Sequence, residues 1–277
     1  MIRVLNLGAG VQSTTLYLMA ADPGNPFQID CAVFADTGDE PRKVYEHLTW
    51  LLGLGGPPIL VRSRGCLGND LMNGVNSTGQ RFAPIPAYTK GEDDDKEGQI
   101  RRQCTKEYKV DVVERTIRRD LFGMKPRQRM PRKVVCTQIL GLSADEPGRA
   151  SRVLKNWSHK WTTPEFPLLT MGWDRKRCRE YLSDRVPHRV PRSACVFCPY
   201  RTDSEWQEMR DQQPEDFARA VEIDDALRVP GNIVNRNMDK KIYLHRSCTP
   251  LKLIDLNHPQ PATLDPLRGE CLGMCGN

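Results

Sequence analysis

Apolar runs that predict strands alternate with helix-like segments through the first sixty residues, and this alternation constrains the fold more than any other feature. The run around Leu5 predicts a short buried strand, and residues 14–20 predict the helix that follows it. Further strands are predicted at 31–35 and 59–62, with a helix at 42–52 between them. This succession predicts an α/β fold with a parallel sheet and right-handed crossovers.

Later segments extend this pattern and then depart from it. Residues 105–121 predict a helix and residues 133–142 a central strand. Residues 74–98, rich in Gly, Pro, Asn and Asp, predict a long loop, and such loops in compact domains are often functional lids. The sequence then changes to short helical segments rich in Trp and Pro. We therefore expect two units, an α/β domain at 1–160 and a smaller, mostly helical region at 161–277.

Composition narrows the possible functions. The chain has 277 residues, ten of them cysteines, and a formal net charge of +6. No apolar run approaches the roughly 18 residues of a membrane span, and the N-terminus lacks the features of a signal peptide, so a cytoplasmic protein with no membrane partner is expected. In that reducing compartment, many cysteines indicate metal, cluster or redox chemistry rather than disulfides. The positive charge suits anionic ligands such as nucleotides or nucleic acid.

The turn "GAGVQST" after the first strand has the composition of an anion-binding loop. Gly8 and Gly10 permit a tight turn and a close approach of the backbone to a ligand, and Ser13 and Thr14 can cap the following helix. Free N–H groups and the helix dipole would then point at one spot, which favours a phosphate. An ordinary strand-to-helix turn explains the same residues equally well.

Two more polar turns follow predicted strands. "ADTGDE" begins at Ala35, and "SADEPGR" carries Asp145, Glu146 and Arg149. A parallel sheet gathers the carboxyl ends of its strands at one edge, so we expect these turns to meet the first loop there. Asp36 and Arg149 are therefore predicted to act at one site.

The cysteines fall into two groups. "CVFC" followed by Pro199 supplies Cys195 and Cys198 at a spacing that zinc sites, iron–sulfur clusters and redox dithiols all use. Cys104 opens the helix predicted at 105–121, just after Arg101 and Arg102, whose charges would lower its pKa. Cys31 and Cys136 lie inside apolar strands and are expected to be small buried side chains. Cys178 lies on one side of a predicted helix and is also expected to be inert.

Basic residues crowd two segments, 115–133 and 175–179. A run of charge is usually a solvated surface, and a surface that binds nucleic acid is the alternative.

Together these motifs resemble the phosphoadenosine phosphosulfate (PAPS) reductase family, within the PP-loop adenine nucleotide α-hydrolase-like superfamily. The superfamily's loop, Ser-Gly-Gly-x-Asp-Ser, is matched by "GAGVQS", and the family's Asp-Thr-Gly, acidic residue and Pro are matched within "DTGDEP". "CTKEYKV" resembles a Cys-x-x-x-x-Lys-Val segment of the iron–sulfur branch, in which a CxxC follows later. Among the chain's departures from the family, Gly8 replaces Ser, Gln12 replaces Asp, Cys104 lacks an adjacent cysteine, and Leu272 stands where the Glu-Cys-Gly motif has Gly.

The resemblance implies a Rossmann-like (HUP-type) sheet with a PP-loop, and a C-terminal region that carries a Cys-rich metal site. It implies ATP and Mg²⁺ as ligands, and a [4Fe–4S] cluster, with zinc as the alternative. The residues expected to hold the nucleotide are Gly8, Ala9, Gly10, Gln12, Ser13, Asp36, Thr37 and Gly38. The residues expected to act in catalysis are Asp36, Arg149 and Cys271, and those expected to bind metal are Cys104, Cys195, Cys198 and, as the favoured fourth ligand, Cys248. A cluster with three thiolates and one open iron is the other possibility.

The function expected from the resemblance is that of a PP-loop ATP pyrophosphatase that adenylates a substrate, coupled to iron–sulfur-dependent sulfur transfer or reduction. Nucleic acid is one expected acceptor, and a sulfur donor or reductant protein is an expected partner. Two alternatives stay open. One is a reductase of an adenylylated sulfate, for which Cys271 would be indispensable. The other is a non-catalytic nucleic-acid-binding protein with a structural zinc knuckle.

Overall fold

A computed structural model describes residues 1–74, 85–91, 97–100, 104–229 and 240–257. The strands in this part of the chain, numbered in chain order, are β1 (Ile2–Leu7), β2 (Cys31–Asp36), β3 (Ile59–Ser63), β4 (Ala87–Gly91), β5 (Glu97–Ile100), β6 (Cys136–Ile139), β7 (Thr162–Glu165) and β8 (Lys240–Tyr243). The α-helices are α1 (Val11–Ala21), α2 (Arg42–Leu52), α3 (Leu67–Met72), α4 (Asp111–Thr116), α5 (Pro147–Asn156), α6 (Pro167–Thr170), α7 (Arg175–Ser183), α8 (Asp203–Gln212) and α9 (Pro214–Ala226). A short 3₁₀ helix covers Leu251–Leu253.

Five strands form a fully parallel sheet in the order β3-β2-β1-β6-β7. The chain moves outward from β1 through β2 to β3, and then returns to the other side of β1 for β6 and β7. The direction of winding therefore reverses between β1 and β6. In open α/β sheets the crevice at such a reversal, outside the carboxyl ends of the strands, is where ligands bind. The parallel α/β sheet predicted from the sequence is confirmed.

Helices cover both faces of this sheet because alternate residues of the central strands point to opposite sides. Leu5 and Phe34 pack in one core with α1, α2 and α7. Val4 and Val33 pack in a second core against α4 on the other face. Strands buried on both faces read as continuous apolar runs, which is why β1 and β2 were visible in the sequence.

The predicted helices and strands differ from the observed ones mainly at their ends. α2 covers the predicted residues, whereas α1 begins at Val11, three residues before the predicted start. The helix predicted at 105–121 is confirmed, with α4 flanked by π-helical turns at Lys106–Val110 and Ile117–Leu121.

The loop predicted at 74–98 is wrong in its described part. Ala87–Gly91 and Glu97–Ile100 pair as antiparallel strands, and β8 joins them in the order β5-β4-β8. The Gly, Asn and Asp content of this segment predicted a loop, and the buried strand residues Ala87 and Tyr88 form too short a pattern to indicate otherwise. A third core lies against this sheet and includes Trp206 and Ile223 from α8 and α9.

The region after residue 160 contributes to both sheets, since β7 completes the parallel sheet and β8 the antiparallel one. Leu168 and Leu182, from α6 and α7, also enter the core that covers α1. The division at residue 160 stays a prediction. Among the described residues, no helix is both long and apolar enough to cross a bilayer.

Candidate functional site at the carboxyl edge of the sheet

The loop after β1 turns sharply and closes on its own serine. Ala9 has φ +53°, in the left-handed region that residues with a Cβ rarely adopt, and its side chain is fully buried. The N–H groups of Gly8 and Gly10 both donate to Ser13 Oγ, at 3.2 and 3.3 Å. Two backbone donors therefore converge on one oxygen at the N-terminus of α1. Backbone N–H groups that converge in this way at a helix N-terminus also bind oxyanions.

Gln12 ties this loop to the turn after β6. Its side chain is 1% exposed, and Nε2 donates to Ser143 Oγ at 3.3 Å and to Glu146 Oε2 at 3.2 Å. Glu146 in turn forms an ion pair with Arg149. The structure therefore brings the predicted loop and the predicted Arg149 together through Glu146.

Two buried polar atoms beside the loop find no hydrogen-bond partner among the described residues. They are Gln12 Oε1 and Ser193 Oγ. Ser193 is 3% exposed and packs directly on the loop, because a Cβ added to Gly10 would lie 3.2 Å from the Cβ of Ser193. A buried polar atom without a partner is costly, so an acceptor at Gln12 and a hydroxyl at Ser193 suit a bound polar ligand.

The "DTG" turn after β2 lies at the same edge of the sheet. Asp36 is the last residue of β2, and its Oδ1 accepts from Gly38 N–H and from Tyr45 Oη, each at 2.8 Å. Burial and this hydrogen bond to Asp36 raise the pKa of Tyr45, so the phenol stays protonated as a donor. Gly38 has φ +78°, and a Cβ there would lie 2.9 Å from the Cα of Cys66, so the turn requires glycine.

The same turn is joined to "CTKEYKV" by a buried ion pair. Lys109 Nζ lies 3.0 Å from Glu40 Oε1, and their side chains are 6% and 1% exposed. Thr37 Oγ1 donates to the same carboxylate oxygen at 3.2 Å and lies 3.2 Å from Cys195 Sγ. Two motifs that are about 70 residues apart in sequence thus share one polar cluster beside a cysteine.

Three of the four predicted metal ligands line one small pocket. Cys104, Cys195 and Cys198 surround it together with Thr37 and Lys109. The cavity is about 20 Å³, which is room for about one water molecule. A cluster would therefore have to push these walls apart.

Arg201 fixes the turn that carries the CxxC motif. Its Nη2 donates to the carbonyl oxygens of Ala194 and Cys195 at 3.0 and 3.1 Å. Burial lowers the pKa of Arg201, and its charge lies close to the thiols of Cys195 and Cys198. A buried cation beside two thiols suits a site that carries negative charge.

Cys104, Cys195 and Cys198 are sulfur donors of the kind that bind zinc or an iron–sulfur cluster. Among the described residues, however, no group of three or more His, Cys, Asp or Glu side chains is placed to hold a metal ion. The Cys-rich metal site therefore stays a prediction, as does the choice between a cluster and zinc.

The remaining cysteines lie elsewhere. Cys248 does not line the pocket; it is buried, with φ +51°, and its pKa is raised to about 11 by burial and by the charge of Glu97. Cys31, Cys136 and Cys178 are buried as expected, and burial raises the pKa of each to about 11. Cys271 lies outside the described residues.

Sequence reasoning missed three residues of this site. Lys109 lies within "CTKEYKV", but sequence reasoning assigned it no role in the site. Glu40 was identified only as the acidic residue of the "DTGDEP" motif. Ser193 was not identified, although it lies two residues before the CxxC. Only the fold shows that these residues meet at loops that follow different strands.

A buried histidine contacts α1 on the side away from the candidate site's loop. His47 Nε2 lies 2.9 Å from Thr14 Oγ1, and His47 Nδ1 lies 2.8 Å from His188 Nε2. Burial, with a smaller effect of His188, lowers the pKa of His47 to about 4, so it is neutral near pH 7.

No protein-family model, curated protein or solved structure matches this chain.

Proposed function

We propose that the chain binds ATP across the carboxyl edge of its parallel sheet and uses it to adenylate an acceptor, with release of pyrophosphate. The observation that carries this proposal is the contact between the loops after β1 and β6 where the winding reverses, with the loop after β2 at the same edge of the sheet and two buried polar atoms left unpartnered beside the first loop. The motif resemblance to PP-loop proteins supports the same reaction. In it, a nucleophilic atom of the acceptor bonds to the α-phosphorus, the bond to the bridging oxygen breaks, and pyrophosphate leaves with that electron pair.

Each loop has a part in this proposal. The N–H groups of Gly8 and Gly10, which now converge on Ser13 Oγ, would hold phosphate oxygens together with the first turn of α1. Gln12 and Ser193 would offer an acceptor and a hydroxyl to the nucleotide.

Charge at the reacting phosphate would be balanced by Mg²⁺ and by protein side chains. The half-buried carboxylate of Asp36 ends β2 at this edge and would hold the ion, with Thr37 and Gly38 beside the nucleotide. Arg149 would stabilise negative charge that develops on the leaving group. Its ion pair with Glu146 keeps the guanidinium at the loop that Gln12 also contacts.

We further propose that Cys104, Cys195 and Cys198 would hold an iron–sulfur cluster, which would supply sulfur or electrons to the activated acceptor. The location supports this, because Thr37 belongs both to the candidate nucleotide loop and to the lining of the cysteine pocket. The role of Cys248 as a fourth ligand receives no support from its position.

Two measurements test the proposal. Isothermal titration calorimetry with ATP and Mg²⁺ reports binding, and ATP–pyrophosphate exchange with candidate acceptors reports adenylation. Ser193→Ala should weaken ATP binding, whereas Ser183→Ala, a hydroxyl on the exposed end of α7, should not. Failure of the wild-type chain to bind ATP would overturn the nucleotide site.

The cluster is tested by anaerobic purification followed by a visible spectrum and by iron, sulfide and zinc analysis. A brown protein with iron and sulfide supports the cluster. Stoichiometric zinc without iron would refute it and favour the zinc-knuckle alternative.

A further inference from the structure

A large groove opens beside the candidate nucleotide edge. Its volume is about 1170 Å³, and it is bounded by α2, α7, the segment 186–192 and α8. Val11, the first residue of α1, and Pro41, the residue before α2, both line it. The groove therefore reaches the loops that follow β1 and β2. It exceeds the roughly 300–1,000 Å³ of a typical small-molecule pocket.

The walls of this groove are basic. Six cationic side chains line it against three carboxylates, those of Glu46, Glu205 and Glu208. The cations are Lys43, Arg175, Arg179, Arg189, Arg192 and Arg201. Glu205 and Glu208 pair with Arg192 and Arg189, which leaves a positive excess.

The exposed cations are placed to meet an anion in solution. Arg179 is exposed, and among the described residues no carboxylate lies within ion-pair distance of it. Lys43 donates to the amide oxygen of Gln212 at 3.2 Å and forms no ion pair within the described part of the chain. Arg189, although paired with Glu208, is 84% exposed.

Aromatic rings line the same groove. Trp50 is half-buried and His188 is exposed, and their rings meet edge to face at 5.5 Å. His47 stacks on Trp50 at 5.5 Å and meets His188 edge to face at 5.1 Å, so the three rings form one cluster that fixes the orientation of Trp50. A basic groove with fixed aromatic surfaces is the combination that holds single-stranded nucleic acid, whose phosphates meet cations while its bases stack.

We propose that this groove binds single-stranded nucleic acid, with the backbone along Lys43, Arg179 and Arg189 and a base against Trp50 and His188. The strand would then be the acceptor that ATP adenylates, an inference that rests on the proposed function. Of the two basic segments in the sequence, 175–179 lies on this groove, whereas no residue of 115–133 lines it.

Fluorescence anisotropy with labelled 12-nucleotide single strands of DNA and RNA tests the proposal. Arg179→Gln/Arg189→Gln should weaken binding about tenfold or more at low salt and should reduce the slope of log K against log salt by roughly 1.4 for two lost phosphate contacts. The matched control, Arg129→Gln/Arg132→Gln, removes the same charge from exposed positions in the other basic segment and should leave both quantities nearly unchanged. His188→Ala should weaken binding without changing the salt slope.

Other outcomes overturn the proposal. Equal losses of binding affinity in the two double variants would show that binding depends on the net charge of the protein and not on this groove. Preference for duplex over single strands, or displacement by an equally charged acidic peptide at equal concentration, would assign the groove to a different partner. Displacement by pyrophosphate alone would show that it holds the phosphates of ATP instead. ATP binding is titrated separately: oligonucleotide binding without ATP binding would refute the proposed function and not the groove, and the reverse result would refute the groove.

Discussion

The carboxyl edge of the sheet and the cysteine pocket are built in different ways, although Thr37 belongs to both. At the edge, short motifs follow parallel strands, and strand geometry alone places them together. The pocket is assembled from segments about 90 residues apart, Cys104 and the CxxC, which only tertiary packing brings together. The edge is therefore fixed by topology, and the pocket depends on long-range contacts.

The two regions also differ in where their unpartnered polar atoms lie. At the edge, hydrogen bonds to Ser13 Oγ close the loop, and the unpartnered atoms, Gln12 Oε1 and Ser193 Oγ, lie beside it. Beside the pocket, the buried ion pair of Lys109 and Glu40 leaves Glu40 Oε2 without a partner among the described residues. We expect the edge to respond to substitutions mainly in ligand affinity, and the pocket mainly in cluster content and stability.

The largest expected effect is at the pocket. Cys195→Ala or Cys198→Ala should remove all iron from anaerobically purified protein, because each deletes a thiolate of the proposed cluster. Cys178→Ala is the matched control: it should keep its iron and cost about 1 kcal/mol of stability, as expected for a small buried side chain. Iron and sulfide analysis measures the difference, and equal iron in all three variants would contradict the assignment.

Cys248→Ala distinguishes a cluster with Cys248 as its fourth ligand from a cluster with three thiolates and one open iron. Because Cys248 does not line the pocket, we expect its substitution to leave the iron content unchanged. Loss of iron in this variant would instead make it the fourth ligand and would require the chain to rearrange on binding.

These two regions also mark how far sequence reasoning reaches. The sheet, α2 and the three edge loops could be predicted because each carries a local pattern, such as the apolar run of β1 or the glycines after it. The contact between Lys109 and Glu40 could not be predicted, because nothing local pairs two charges that far apart in sequence. Likewise β4 is short and lies among polar residues, so its burial against β8 left no periodic signal.

The next prediction concerns the buried ion pair that joins the two regions. Lys109→Met should destabilise the protein by about 3–5 kcal/mol, since it leaves the charge of Glu40 buried without its partner. Lys176→Met removes a similar pairing from an exposed helix, with side chains 84% and 63% exposed, and should change little. Urea denaturation measures both.

The double variant Lys109→Met/Glu40→Gln supplies a further control for this pair. It should recover much of the lost stability, because it removes the charge of Glu40 together with that of Lys109. No recovery would mean that Lys109 acts through other contacts.

A further prediction tests the close packing at the edge. Gly10→Val should weaken ATP binding roughly ten- to hundredfold, because its side chain would displace Ser193, which a Cβ alone would already approach to 3.2 Å. Gly148→Ala is the control, since a Cβ there meets nothing within 4 Å. Calorimetry compares their affinities, and circular dichroism checks that both variants fold. Unchanged affinity in Gly10→Val would remove the loop from the proposed site.

The smallest effect expected is the pH response of the histidine behind the loop. The folded pKa of His47, about 4, lies below the ordinary value of 6.5, so the unfolded chain takes up the proton first as the pH falls. Its stabilising contribution is present above pH 6.5 and is lost progressively toward pH 4, by about 1 kcal/mol between pH 7 and 5.5.

His47→Gln should flatten this part of the curve of stability against pH. The slope that remains should come partly from His245, whose pKa burial also lowers. His159→Gln is the control. The hydrogen bond from His159 to Glu114 raises the pKa of His159, so the contribution of His159 to stability depends on pH with the opposite sign. Thermal unfolding across this pH range measures all three proteins, and an unchanged slope in His47→Gln would show that His47 is not held neutral behind the loop.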